Sequence, residues 1–342
     1  MTVLIIDTSY LIYRSFFAYP SLTSKGVPTG AFFGFAKTIL ALVQEYKPDE
    51  LIFANDTAEP TWRHKILVDY KANRPDIQDD MLLQIPLIKE WITKISPNVF
   101  SQPGFEADDY VYTVCKRLLI ESSNVNSKEV KSDLFETKSS SVKVAKLPPF
   151  SGQILIFSSD RDLYQLLNHP EIFFVQSKVL KDGWQLFGQQ DFKVKYELQP
   201  EQWLDYKALV GDASDNLKGV PGVGPKTATK ILHQVGCLNN LFTALGEDAT
   251  AFTNLGYEIK GAQEYLENPK NMTIIDKIKA NLDQIRQTYY LATLQDVPNT
   301  NITHVGFDLN KGVQEFYEYN FKSLITAVSK FYAQENEPEA LF

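Results

Sequence analysis

Nine carboxylates stand where they could serve one metal-assisted reaction centre. Asp7 ends an apolar run from Thr2 to Ile6, and Asp56 follows a second run, Glu50 to Ala54. Glu106, Asp108 and Asp109 close the string Gly104-Phe105-Glu106-Ala107-Asp108-Asp109. Asp160 and Asp162 follow a third run, Gln153 to Ser158, and Asp212 and Asp215 lie within Gly211-Asp212-Ala213-Ser214-Asp215-Asn216. Sites in open parallel sheets form outside the carboxyl ends of the strands, so Asp7, Asp56 and the Asp160/Asp162 pair are expected at one edge. Asp108 and Asp109 fall in the first turn of a helix, where the dipole tolerates negative charge. Asp212 and Asp215 share one face if their stretch is helical. Carboxylates gathered this densely repel one another and raise some of their pKa values. Magnesium, which prefers hard oxygen ligands, relieves that repulsion. Two such ions about 4 Å apart can stabilise the attacking and leaving oxygens of a phosphoryl displacement. An Asp at a strand end or helix start is often only a cap, so it is the joint pattern that argues for metal. Asp109 is its weakest member, because Asp108 beside it suffices.

Two cationic features accompany the acids. Arg63 to Arg74 carries two Arg and two Lys against one Asp, a local charge of +3, and starts close behind Asp56. Such a stretch can hold phosphates by charge and place Tyr70 against a base, although a solvated helix face would have the same composition. Val220 to Thr227 reads VPGVGPKT. Its glycines allow a tight turn, and Pro225 suits a first helical position, with the helix expected from about Lys226 to Val235. Free backbone N–H groups at its start, with Lys226 and Lys230, would make an anion-binding corner, and Gly222, Gly224 and Thr227 are expected to bind DNA with them. The pattern resembles a helix–hairpin–helix grip on DNA backbone, which fixes position without reading sequence.

The elements that must position these groups read as α/β. Thr2–Ile6, Glu50–Ala54, Gln153–Ser158 and Glu171–Gln176 are strand-like. Amphipathic stretches lie between them: Gly30–Tyr46, Met81–Ile95 and Asp108–Ile120. This alternation implies a mostly parallel twisted sheet flanked by helices, with a hairpin at Lys181-Asp182-Gly183. From about Pro200 helical patterns dominate. The expected organisation is a catalytic α/β domain over 1–198, a smaller helical domain over 199–332 with its hairpin at 219–226, and a flexible tail over 333–342. The Ser- and Lys-rich stretch at about 122–150 reads as a loose insertion.

The chain has 342 residues, 44% hydrophobic and 22% charged, which fits a globular protein. Its net charge of −8 argues against an anionic partner at first sight. Taking the nine candidate carboxylates away from that −8 leaves the rest of the chain at +1, so placement decides rather than net charge. Two cysteines, Cys115 and Cys237, make neither a disulfide framework nor a zinc spacing. The apolar run at the start is broken by Asp7, too early for a secretory signal. A cytoplasmic location without a membrane partner is expected.

These motifs resemble the 5′-nuclease domain of bacterial DNA polymerase I within the flap endonuclease family, over Val3 to about Phe331. The match rests on Asp7 with Ser9-Tyr10-Leu11-Ile12-Tyr13-Arg14, on Tyr70-Lys71 with Arg74, on the string ending in Asp108-Asp109, on Ser158-Ser159-Asp160-Arg161-Asp162, and on Gly211 to Ala228. The resemblance implies two or more magnesium ions, with manganese as a substitute. Asp7, Asp56, Glu106 and Asp108 would surround the first, and Asp160, Asp162, Asp212 and Asp215 the second, with Asp160 reaching both. It implies that Arg14, Lys71 and Arg74 lie near the scissile phosphate and that Tyr70 stacks on a base. It also implies a helical arch over about 63–95, and a potassium ion on the carbonyls of the Gly219–Gly224 hairpin. Implied partners are DNA with 5′ ends or 5′ flaps and a DNA polymerase I polymerase domain, in the bacterial nucleoid, during replication and repair. The chain departs from the family at Asn55 and at Thr57-Ala58-Glu59-Pro60, where an apolar residue and a Gly/Lys turn are usual, and in the length of its insertion. No polymerase domain follows, which leaves either a stand-alone protein or a part of a longer one. Glu339-Ala340-Leu341-Phe342 is similar to peptides that bind sliding clamps, but lacks their Gln.

The leading expectation is therefore a structure-specific 5′-3′ DNA exonuclease and flap endonuclease. A catalytically inactive DNA-binding paralogue would have lost metal ligands, and all are present. A metal-dependent phosphatase or ribonuclease on a related scaffold would not need a duplex-gripping hairpin.

Overall fold

The computed structural model describes residues 1–123, 152–178 and 183–335. Six strands form one twisted sheet: β1 Thr2–Asp7, β2 Glu50–Ala54, β3 Asn98–Phe100, β4 Gln153–Phe157, β5 Ile172–Ser177 and β6 Trp184–Phe187, in the order β3-β2-β1-β4-β5-β6. All neighbours are parallel except β5 and β6, which pair antiparallel. Strand β3 was missed in the sequence, because three residues show no period. The turn expected at Lys181-Asp182 lies outside the described residues, as do most of the 122–150 insertion and the clamp-like residues 339–342.

Side chains alternate along β1, so both faces of the sheet are covered. Val3 and Ile5 point into one core, and Leu4 and Ile6 into another. The second core is built by α1 Thr8–Ala18, α2 Gly30–Tyr46 and the helix Ile85–Ile95. The first is built against the helix Ala107–Ser123 and continues without a break into Leu232 and Phe242 of the helical half. One apolar core thus runs through both halves.

The chain end does not keep the division expected at 199. Leu309, Phe316, Phe321, Leu324 and Val328 pack back into the core formed by α2 and β1. The final helix runs from Lys322 to Glu335, into the stretch expected to be unstructured. No helix among the described residues is long and apolar enough to cross a membrane.

Candidate metal and DNA site

Register brings the acids together. Asp7 stands opposite Ala54 on one side, and Ile6 stands opposite Phe157 on the other. The residues after Ala54 and Phe157 therefore leave the sheet beside Asp7. Asp7 caps α1 by accepting from the Tyr10 N–H at 3.0 Å and also accepts from Ser158 Oγ at 2.7 Å. Burial, then the nearby Asp56 and Asp160, push its carboxyl up to about 7. Asp56 accepts from the Ala107 N–H at 2.8 Å, which draws the start of the Ala107 helix to the sheet edge. Asp160 accepts from the Asp162 N–H at 2.8 Å, and burial raises its pKa.

Glu106 and Asp108 behave oppositely. Burial works to raise Glu106, but Lys71 at 2.6 Å and Arg63 at 3.3 Å overcome it and hold the carboxyl below its usual range. Asp108 is buried and raised, burial again being the main cause, with Asp109 and Glu106 adding repulsion. Asp212 is lowered to about 2: burial opposes this, and Lys207 at 2.5 Å prevails. Asp215 accepts from Arg74 at 2.8 Å and from the Tyr70 hydroxyl at 3.1 Å.

Several expectations change here. Arg63 is not an exposed DNA contact. It is 1% exposed, holds both Asp109 oxygens at 3.0 Å, and donates Nε–H to the Leu291 carbonyl at 2.9 Å. Asp109 is in turn fully buried and also accepts from Trp62 Nε1 at 3.1 Å and the Gln295 N–H at 2.9 Å. With its oxygens taken by these donors, Asp109 is a structural anion rather than a metal ligand. Tyr70 is 3% exposed, with its hydroxyl shared between Glu106 and Asp215, so its ring is covered rather than open for stacking on a base. The stretch 63–95, expected to form a helical arch, is broken into short helices. It comprises helices Trp62–Ile66, Asp79–Leu82 and Ile85–Ile95. Its turn at Lys71, with φ +56°, is tied to the other half by the Lys71 N–H to the Asp215 carbonyl at 3.2 Å. Asp212 and Asp215 sit on a tight antiparallel turn, Gly211–Asp212 pairing with Leu217–Lys218, not on a helix face.

Arg14 reaches the same edge of the sheet. It donates to Ser177 Oγ at 2.8 Å, and its guanidinium lies 5.5 Å from the Trp184 ring centre. The hairpin ends in Gly222 at φ +78°, a conformation suited to glycine, and the helix Pro225–Val235 starts from Gly224. Lys226 and Lys230 are exposed on it, Thr227 is half-buried, and the Thr227 N–H donates to the Gly224 carbonyl at 3.0 Å.

Lys207, in the helix leading into Gly211-Asp212, is a site residue that no sequence motif marks. It is buried and forms ion pairs with both Asp162 and Asp212. No three Asp, Glu, His or Cys side chains among the described residues are arranged to hold one ion as they stand. Lys71, Arg74 and Lys207 are drawn in among the carboxylates instead. The donor set fits a hard divalent cation all the same: every candidate atom is a carboxylate oxygen, and burial and mutual repulsion hold Asp7, Asp108 and Asp160 above their usual pKa.

The family model of the 5′-3′ exonuclease N-terminal resolvase-like domain matches residues 2–146, and that of the 5′-3′ exonuclease C-terminal SAM fold matches residues 198–312. A 5′-3′ exonuclease of Aquifex aeolicus is 30% identical over 337 residues, 98% of each chain. The thermostable DNA polymerase I of Thermus thermophilus is 33% identical over 306 residues, 86% of this chain and 29% of that protein. The chain thus spans less than a third of the length of that polymerase. Among solved structures, the T5 5′-exonuclease with bound zinc aligns with a TM-score of 0.58 at 18% identity, covering 93% of this chain and 99% of that one. The catalytic core of Rad2 in complex with DNA substrate aligns at 0.53 and 10% identity, covering 95% and 92%. These two similarities are of fold.

Proposed function

This chain belongs to the 5′-3′ exonuclease family, and on that premise we propose that it is a divalent-metal-dependent DNA nuclease acting at 5′ ends and 5′ flaps of duplex junctions. The observation that carries this reading is the convergence of Asp7, Asp56 and Asp160 at one strand edge, with Glu106 and Asp108 on a helix start beside them. Asp7, Asp56, Glu106 and Asp108 would hold a first ion. Asp160, Asp162, Asp212 and Asp215 would hold a second, with Asp160 serving both. Magnesium suits these oxygens, and manganese can replace it. Such ions supply Lewis-acid stabilisation of the oxygens entering and leaving phosphorus.

The chain's own residues do the rest. Lys71 and Arg74, now paired to Glu106 and Asp215, lie close enough to exchange those partners for phosphate oxygens and offset their charge. Arg14, held between Ser177 and Trp184, adds a third cation at that edge. Free N–H groups near Gly222 and Gly224, with Thr227, Lys226 and Lys230, hold the duplex backbone without reading sequence. A potassium ion on the hairpin carbonyls would strengthen that grip. The cellular role that fits is removal of RNA primers and flaps in replication and repair, beside or joined to a DNA polymerase I polymerase domain.

Incubation with a 5′-flap DNA, a single strand and a flap RNA, with and without magnesium, tests the proposal. Magnesium-dependent cutting of the flap DNA and not of the single strand is expected, and cutting that persists in Asp160→Ala refutes the metal assignment.

A further inference from the structure

Lys207 enters the site from the helix Trp203–Val210, five residues before Asp212. Its ammonium pairs with Asp162, which follows β4, and with Asp212, which follows its own helix. Only 6% of its side chain is exposed, as is the case for Asp162. Among the described residues its ion-pair partners are these two carboxylates. Arg63 differs, because it also holds Asp109 and a backbone carbonyl that take no part in the proposed metal site.

An ammonium is a compact charge with three donors and no acceptor. It pairs with two of the carboxylates that the second divalent ion would need, and in a poorly hydrated site two cations cannot share them without strong repulsion. We propose that Lys207 is a resident cation at the second-ion position: it holds Asp162 and Asp212 together in the ion-free protein, and a divalent ion binds there only by displacing it. This rests on the metal reading above. A displaced ammonium needs a new anionic partner, and a phosphodiester is one. Second-ion binding is therefore coupled to DNA through Lys207, which acts as a positioning residue rather than a catalytic one.

The test counts Mn2+ bound to the full chain without DNA, using the electron paramagnetic resonance signal of the free ion. Lys207→Met keeps the aliphatic stem and removes the charge. Its weaker class of Mn2+ site should tighten by about tenfold or more, the usual scale for removing an adjacent like charge, while the stronger class stays put. Lys207→Arg should keep the weak wild-type class. A lysine needed only to shape the site predicts the opposite sign, since its loss would loosen Mn2+. A short DNA flap should tighten the weak class in wild type more than in Lys207→Met.

If Lys207→Met does not fold, acetylation of wild-type lysines read by mass spectrometry serves instead. Lys207 should react faster once Ca2+ saturates the protein, because its ammonium has left the ion pairs. Unchanged or weaker Mn2+ binding in Lys207→Met, or Lys207 labelling that Ca2+ leaves unchanged or slows, overturns the proposal alone. Wild-type protein that binds no divalent ion overturns the metal reading with it.

Discussion

Replacing Arg63 by Met decides between two accounts of the basic segment. If Arg63 were a surface phosphate contact, its loss would weaken DNA binding and leave folding nearly untouched. The structure gives the reverse expectation. Arg63→Met removes three hydrogen bonds of 2.9 to 3.0 Å and strands a carboxylate, Asp109, that is fully buried. Breaking a buried pair from one side typically costs about 3–5 kcal/mol, mostly because the remaining charge is uncompensated. The upper part of that range applies here, since Glu106 and Asp108 lie 3.3 and 3.5 Å from the same guanidinium. Urea unfolding followed by tryptophan fluorescence measures the loss, with Trp62 as a local reporter: its ring lies 4.5 Å from the Arg63 guanidinium. The double variant with Asp109→Asn should lose less than Arg63→Met alone, because it buries no lone charge at that position. A cost below about 1 kcal/mol, together with weakened binding to flap DNA, would refute the reasoning.

Asp7→Asn tests the electrostatic cost of the site. The folded carboxyl is raised from 3.8 to about 7, so the native state binds this proton more tightly than the unfolded chain. That contribution to stability is present below 3.8 and is lost as pH rises through about 7. In EDTA at pH 8, Asp7→Asn should therefore melt higher than wild type, by on the order of 4 kcal/mol in stability, while its cutting in magnesium is abolished; a lower melting point at pH 8 counts against this. Tyr70→Phe keeps the ring and removes the hydroxyl shared by Glu106 and Asp215. It should cost about 1–2 kcal/mol in thermal stability, whereas a ring that only stacked on bases would leave stability unchanged. Lys230→Ala should weaken duplex binding evenly across sequences and lower the salt-dependence slope by about one; a sequence-selective loss would argue against a backbone grip.

The strand-end acids were legible because strands buried on both faces show in the sequence as near-unbroken apolar runs. Thr2–Asp7, Glu50–Ala54 and Gln153–Phe157 are continuous apolar runs, as strands buried on both faces require, and the acid that follows each run marks its carboxyl end. The Pro225 helix was legible from local chemistry, a glycine turn followed by proline. Partner choice was not. Arg63, Tyr70 and Asp109 have the composition of an exposed or metal-binding group, and only the approach of Leu291 and Gln295, more than 180 residues on, shows that they are enclosed. Lys207 escaped for the same reason: a lone lysine in a helix reads as a solvated face until Asp162 is brought onto it. The return of Phe321 and Val328 to the sheet half is equally a long-range fact, carried by α2 rather than by any boundary signal.

The basic side chains in this site fall into two kinds, and their partners separate them better than their burial does. Arg63 and Lys207 are both nearly enclosed, at 2% and 6% side-chain exposure. Arg63, however, is held by Asp109 and by the Leu291 carbonyl, groups that lie outside the proposed ion sites. Losing it leaves a buried charge that no ligand can reach, so it is a fixed part of the fold. Lys71, Arg74 and Lys207 are paired to Glu106, Asp215, Asp162 and Asp212, the carboxylates proposed to take up divalent ions. Each of those pairs can be replaced by a metal on the acid and a phosphate on the base, keeping every charge compensated. A site this acidic can then fold without ions and still bind a polyanion with them. The net charge of −8 is compatible with the proposed DNA substrate on these terms, because the acids can pass from these bases to ions, and the bases from these acids to phosphates.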